Sequence, residues 1–213
     1  MDPLVSIVIP VYNGANFVRE AIDSALAQTY RNIEIIVVND GSTDNTRDIA
    51  LSYGDKIRYF EKENGGVSTA LNLAISEMKG EYFSWLSHDD LYAPEKVEAE
   101  IEALKTNGNM DMVVHCNYNI LNMETEQCVP HTKYEKDEQE FFTYGTLLPL
   151  LGLVNLCAVL IPKKYFDEYG GFNPEHRAVQ DYEKVFEMFR GKRIIYLNRN
   201  LITIRKHEMH ILQ

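Results

Sequence analysis

The chain has 213 residues, 45% of them hydrophobic and 25% charged, and a formal net charge of −11. That length suits one large domain that buries roughly 70% of its unfolded surface. So acidic a balance, with no basic stripe to displace counterions, argues against a nucleic-acid partner.

Val5 to Ile9 is a short β-rich run stopped by Pro10 and Asn13-Gly14. Val18, Ala21, Ile22, Ala25 and Leu26 then fall on one helical face. Ile33 to Val38 is nearly continuous in apolar residues, as in a parallel strand covered on both sides. Asn39-Asp40-Gly41-Ser42 interrupts it, and Asp44 to Tyr53 restarts as a helix. Ile57 to Phe60 reads as a third strand. After Asn64-Gly65-Gly66, an amphipathic helix carries Val67, Ala70, Leu71, Ala74, Ile75 and Met78 and stops at Gly80. Tyr82 to Leu86 is the fourth strand. Pro94 suits the first turn of a helix with Val97, Ile101 and Leu104, and Met112 to His115 is the fifth strand.

Strand alternating with helix five times predicts βαβ units and a mostly parallel sheet. Ligands of such sheets bind beyond the carboxyl ends of the strands. Tyr12-Asn13, Asp40, Asn64-Gly65 and Asp89-Asp90 all fall there.

The second half is less regular. Residues 117–150 mix turns and charges and end in a helix with Phe141, Phe142 and Leu148. Val154 to Ile161 reads as a strand, and Lys163 to Tyr169 as a short helix closed by Gly170-Gly171. A last helix presents Tyr182, Val185, Phe186 and Phe189 and stops at Gly191. Ile194 to Leu197 and Leu201 to Ile204 read as two short strands.

Cys116, Cys128 and Cys157 fit neither a disulfide framework nor a zinc motif, which points to a reducing cytosol. Residues 1–3 carry no signal-peptide segments. The apolar stretch Leu147 to Ile161 is broken by Pro149, Gly152 and Asn155 and is too short to span a bilayer. The abrupt end suggests a piece of a longer protein.

The turn after the first strand holds one glycine, so it is no dinucleotide fingerprint. No phosphate-binding P-loop and no nucleophile elbow occurs. What the chain does carry is Val5-Ser6-Ile7-Val8-Ile9-Pro10-Val11-Tyr12-Asn13, then Ala27-Gln28-Thr29-Tyr30, then Ile36 to Asp44 with Asn39-Asp40-Gly41-Ser42. Asn64-Gly65-Gly66-Val67-Ser68 with Asn72, Asp89-Asp90 with Pro94, Gly170-Gly171-Phe172, Gln180-Asp181 and Arg205-Lys206-His207 follow in order. This series resembles the family-2 glycosyltransferases over nearly the whole chain.

The resemblance implies an α/β fold of GT-A type: one domain over 1–213, with a nucleotide-binding half (1–116) and an acceptor-binding half (117–213). It implies an inverting enzyme that uses Mn²⁺ or Mg²⁺ and a nucleotide-sugar donor. It assigns Pro10, Val11, Tyr12, Asn13, Asp40, Asn64, Gly65, Gly66, His88, Asp89 and Arg205 to the donor. Tyr12 either stacks on the base or is a loop aromatic. Asp40 either accepts the uracil imide N–H, which favours UDP, or makes an Asx-turn with Gly41-Ser42. Gly65 and Gly66 either admit the donor or only turn the chain.

The family pattern D-x-D-D, counted back from Pro94, places Ser87 where its first aspartate belongs. Asp89 then holds the main metal position, with His88 beside it as a loop residue or ligand and Asp90 on the acceptor side. A hard cation keeps several waters and takes further ligands from phosphates, so few protein carboxylates suffice. His207 corresponds to a second metal ligand; His207 and His210 alone do not make a zinc site. Arg205 either steadies the diphosphate or lies on the surface. Asp181 is the candidate general base, although an aspartate in a first helical turn is also favoured by the macrodipole.

The acceptor would be a carbohydrate or lipid-linked hydroxyl, as in polysaccharide or glycan synthesis, with residues 117–160 shaping its site. No transmembrane segment is read, and cytoplasmic placement leaves association with an inner membrane face open, as it leaves oligomeric state. A sugar nucleotidyltransferase and a non-catalytic nucleotide-sugar binding module are the alternatives. Retention of Asp89, Asp181 and His207 counts against the second, and the loop after the first strand against the first.

Overall fold

The computed structural model describes residues 2–131, 155–176 and 180–207. Its first half alternates as the apolar spacing requires: β1 (Val5–Val11), α1 (Val18–Leu26), β2 (Ile33–Asn39), α2 (Thr46–Leu51), β3 (Arg58–Glu61), α3 (Val67–Glu77) and β4 (Tyr82–Trp85). The chain continues through β5 (Leu91–Tyr92), α4 (Lys96–Asn107), β6 (Val113–Asn122) and β7 (Cys128–His131). It closes with β8 (Val159–Pro162), α5 (Lys164–Tyr169), α6 (Gln180–Phe189) and β9 (Ile194–Lys206).

Every residue of β1 is buried, because β2 and β4 flank it and α1 and α3 pack against it. Val18, Ala21, Ile22 and Ala25 of α1 supply the apolar stripe, and Ala70, Leu71 and Ala74 that of α3. Gly66 opens α3 at φ +88°, and Gly108 ends α4 at φ +73°, conformations that cost a Cβ-bearing residue energy.

The described strands form one nine-stranded sheet in the order β3-β2-β1-β4-β8-β6-β9-β5, with β7 on β6. β1 to β4 are mutually parallel, and β6 and β9 run the same way; β8 is inserted antiparallel between β4 and β6. The sheet is therefore mostly parallel in direction, as expected, and it continues from one half of the chain into the other. The carboxyl ends of β1, β2 and β4 lie together at one edge.

Four expectations change. Part of the segment expected to mix turns and charges is strand: β6 runs on past His115 to Asn122, and β7 pairs back onto it. The two short strands near the end are one strand, β9, which stays paired to β6 through register irregularities around Asn117. Val154 to Ile161 is not one strand: its described part is a 3-10 turn at Leu156–Ala158 leading into β8. On α6, Val185, Met188 and Phe189 are buried, but Tyr182 is 45% exposed and leaves the apolar face. The helix expected around Phe141, Phe142 and Leu148, and His210, lie outside the described residues. Among the described residues no helix is long and apolar enough to cross a membrane.

Candidate active site

The turn after β1 is tied down by the loop after β2. The Asn13 side chain accepts from the Thr43 amide at 2.8 Å, its own amide donates to Ser42 Oγ at 2.9 Å, and the Gly14 amide donates to Thr46 Oγ1 at 2.9 Å. A Cβ on Gly14 would stand 2.5 Å from the His88 ring, so this glycine lets His88 close over the turn. Beneath lies a cavity of about 260 Å³, lined by Pro10, Val11, Tyr12, Asp40, Asn64, Gly65, Gly66 and His88 among the residues expected at the donor. Tyr12 is 43% exposed, an available ring face at the rim.

Asp40 is buried, yet its carboxylate is well supplied with donors. Lys62 Nζ lies at 2.6 Å, and the Gly65 and Gly66 amides donate at 3.1 and 2.8 Å. The Asn64 side chain donates to the Asp40 carbonyl at 3.0 Å. Two carboxylate oxygens offer about four lone-pair directions, so one remains for a ligand N–H. The turn expected of Asp40 is made by its neighbour: Asn39 Oδ1 accepts from the Ser42 amide at 2.9 Å. Gly41, at φ +74°, could not carry a Cβ, which would meet the Asn64 amide at 2.7 Å.

Val67, Ser68, Ala70 and Pro174 complete the lining and were not read from the sequence. The signal for Pro174 was present in Asn72 and Gly170-Gly171-Phe172. The Asn72 side chain donates to the Phe172 carbonyl at 2.8 Å and accepts from its amide at 2.7 Å. A Cβ on Gly171 would lie 2.2 Å from Asn72 Oδ1. That clamp holds the segment bearing Pro174 against α3.

At the carboxyl end of β4, Asp89 and Asp90 are both buried. His207 Nε2 lies 2.9 Å from Asp89 Oδ2, and the imidazole stacks on Phe17 with ring centres 5.1 Å apart. The Arg205 amide donates to Asp90 Oδ1 at 3.0 Å. Burial first, and the adjacent Asp89 charge second, push the Asp90 carboxyl up to about 8, against the opposing pull of Arg205. Ser87 Oγ lies 3.2 Å from Cys157 Sγ.

Two expected donor residues have other duties. Arg205 is neither on the surface nor lining the cavity: its buried guanidinium donates to the Asp89 carbonyl at 3.1 Å, pairs with Glu20 and lies over the Phe17 ring. It braces the turn that carries the acidic pair. Asn13 likewise serves the β1 turn and is absent from the cavity wall.

Asp89 and His207 make a carboxylate–imidazole pair with a second carboxylate adjacent. No set of three metal-binding side chains occurs among the described residues. A pair suffices where water and ligand phosphates complete the shell, and the mixed donor set suits Mn²⁺ at least as well as Mg²⁺. Asp181 stands in the first turn of α6, half-buried, with its carboxylate accepting from the Tyr182 amide at 2.9 Å. Burial raises its pKa above the ordinary aspartate value. It does not line the donor cavity.

The family model for glycosyl transferase family 2 matches residues 6–170. A Rickettsia typhi protein described as an uncharacterized glycosyltransferase is 50% identical over 97% of this chain, which spans 65% of that relative's length. A chondroitin synthase of Pasteurella multocida is 40% identical over 55% of the chain and 12% of its own length. Among solved structures, S. aureus TarS (1–349) in complex with UDP superposes with a TM-score of 0.80 at 19% identity, covering 95% of this chain and 60% of that one. TarS in complex with UDP-GlcNAc superposes equally well, over 96% and 59%. The α/β architecture expected from the sequence is the fold of these structures.

Proposed function

The chain belongs to glycosyl transferase family 2, and we propose that it transfers a sugar from a UDP-linked donor to an acceptor hydroxyl with inversion at the anomeric carbon. One observation carries the reading. The cavity at the carboxyl ends of β1 and β2 collects Tyr12, Asp40, Asn64, Gly65, Gly66 and His88 from four separate turns, with the Asp89–His207 pair next in the chain to His88. The UDP found with the TarS fold supports the choice of base.

Tyr12 stacks on the nucleobase, and Asp40 accepts its imide N–H with the lone pair that Lys62, Gly65 and Gly66 leave. Gly65 and Gly66, on the cavity wall without side chains, admit the sugar nucleotide closely. Asp89 and His207 hold a divalent cation, Mn²⁺ or Mg²⁺, which when bound supplies Lewis-acid charge at the diphosphate. Asp181 takes the proton of the acceptor hydroxyl as that oxygen bonds to the anomeric carbon. The bond from that carbon to the diphosphate oxygen breaks in the same displacement, so no covalent enzyme intermediate forms. Asp90 faces the acceptor side, and burial, by raising the Asp181 pKa, makes that carboxylate a stronger base than an exposed aspartate. The polysaccharide synthases among the relatives favour a carbohydrate acceptor.

A thermal-shift panel of nucleotide sugars, followed by NMR of the transferred anomeric configuration, tests this. UDP-sugars should stabilise the protein more than GDP-, ADP- or CDP-sugars, and the product should be inverted. A retained configuration or a preference for another base would overturn the assignment.

A further inference from the structure

A recess larger than the donor cavity lies far from it in the topology, beside the amino ends of β6 and β9. It measures about 660 Å³, within the 300–1,000 Å³ of typical ligand clefts. One wall is the turn from α6 to β9, where Arg190, Lys192 and Arg193 crowd around Gly191. Gly191, at φ +71°, lets the chain reverse there, and the Lys192 amide donates to the Phe189 carbonyl at 3.0 Å. The opposite wall is the segment from α4 to β6, including Asp111, with Tyr165 also lining the recess.

The local charge runs against the rest of the chain. Asp111 is neutralised by Lys164 at 2.6 Å. Lys192 lies 3.5 Å from Glu168, with its ammonium over the Tyr165 and Tyr169 rings at 4.7 and 5.1 Å. Arg190 and Arg193 are exposed and make no ion pair among the described residues. Two guanidiniums thus remain uncompensated at one rim, in a protein of net charge −11. Guanidinium forks bind phosphoryl oxygens two at a time, and two of them on one recess give an anion a place to bind.

We propose that this recess binds a phosphoryl anion, separately from the donor cavity. The anion comes either from a membrane lipid headgroup or from a soluble phosphate compound. In the sheet it lies at the amino ends of β6 and β9, whereas the donor cavity is at the carboxyl ends of β1 and β2, so the two sites do not share residues.

The test uses the full chain at low salt with a chelator present, because screening weakens exposed charges. Inorganic pyrophosphate is titrated calorimetrically into wild type, into the double variant Arg190→Ser with Arg193→Ser, and into Asp89→Ala. In a parallel arm, the first two are floated with vesicles of equal parts phosphatidylglycerol and phosphatidylcholine, and with phosphatidylcholine alone. The double variant should lose about tenfold or more in pyrophosphate affinity while Asp89→Ala keeps it. Its melting temperature should stay that of wild type, since both arginines are exposed. Flotation with the anionic vesicles alone, lost in the double variant, assigns the lipid headgroup; pyrophosphate binding without flotation assigns a soluble anion. Equal pyrophosphate affinity in wild type and double variant, or no binding of either probe by wild type, would overturn the proposal.

Discussion

The turns after β2 and β4 both place an aspartate in the interior, Asp40 at 3% and Asp89 at 4% exposure. Around Asp40 the fold supplies a lysine ammonium and two backbone amides, so its charge is compensated before any ligand arrives. Around Asp89 it supplies a second buried carboxylate and one imidazole, and burial first, with the Asp89 charge second, pushes the Asp90 carboxyl up to about 8. The first turn is electrostatically closed and can position a neutral N–H. The second carries an excess of acidic groups and gains from an added cation. Two aspartates at like positions in the sheet thus stand in opposite electrostatic settings, as the proposed roles at the base and at the diphosphate require.

The largest expected effect lies outside both turns. Asp181→Asn keeps the size of the side chain, so donor binding and folding should survive while transfer falls ~10²–10⁴-fold. A variant that transfers at the wild-type rate would pass the base role to Asp90. One that unfolds would make Asp181 a helix-capping residue.

At the closed turn, Asp40→Ala should weaken UDP by about ten- to a hundredfold, the worth of a hydrogen bond to a charged group. It should also lower the melting temperature, because Lys62 and the Gly65 and Gly66 amides lose their acceptor. Lower stability with unchanged calorimetric affinity for UDP would confine Asp40 to a structural role.

The effect that is smallest near neutral pH, and grows only on acidification, concerns the strands behind the second turn. His115 of β6 is buried, and burial together with the Lys96 charge holds its pKa down at about 3. The unfolded chain takes up this proton near 6.5 and the folded one does not. Stability from this group is full above about 6.5 and is lost as pH falls toward 3, by up to roughly 1.4 kcal/mol per pH unit. Melting curves of His115→Gln should show a flatter acid limb. An unchanged limb would mean that folded His115 takes up its proton at the same pH as the unfolded chain.

That the residues of the candidate donor cavity lie together was legible because they follow strands whose apolar runs are self-evident, and a parallel sheet brings such strand ends together. The roles expected of Tyr12, Asp40, Asn64 and His88 came from the family resemblance, and the fold brings the four to one cavity. The buried polar groups were not legible. Lys96 and Glu100 have the spacing of a solvated helical pair, yet both are fully buried and paired at 2.8 Å beneath Ser84 and Tyr92. Arg205, in the run Arg205-Lys206-His207, reads as a diphosphate ligand or as surface; the alternation of β9, with Lys206 outward, instead turns it into the interior. The antiparallel insertion of β8 was hidden too, because its partners β4 and β6 lie far away in sequence. Local pattern reports strands and turns, whereas these features arise only when distant segments meet.

The contrast between the two turns is tested most directly by titrating UDP calorimetrically with Mn²⁺ and again with a chelator, into wild type, Asp89→Ala and His88→Ala. Wild type should lose affinity at least about tenfold when the cation is removed. Asp89→Ala should bind weakly in both conditions, and His88→Ala should keep the dependence. Equal affinity of wild type with and without the cation would contradict the account, as would loss of the dependence in His88→Ala alone.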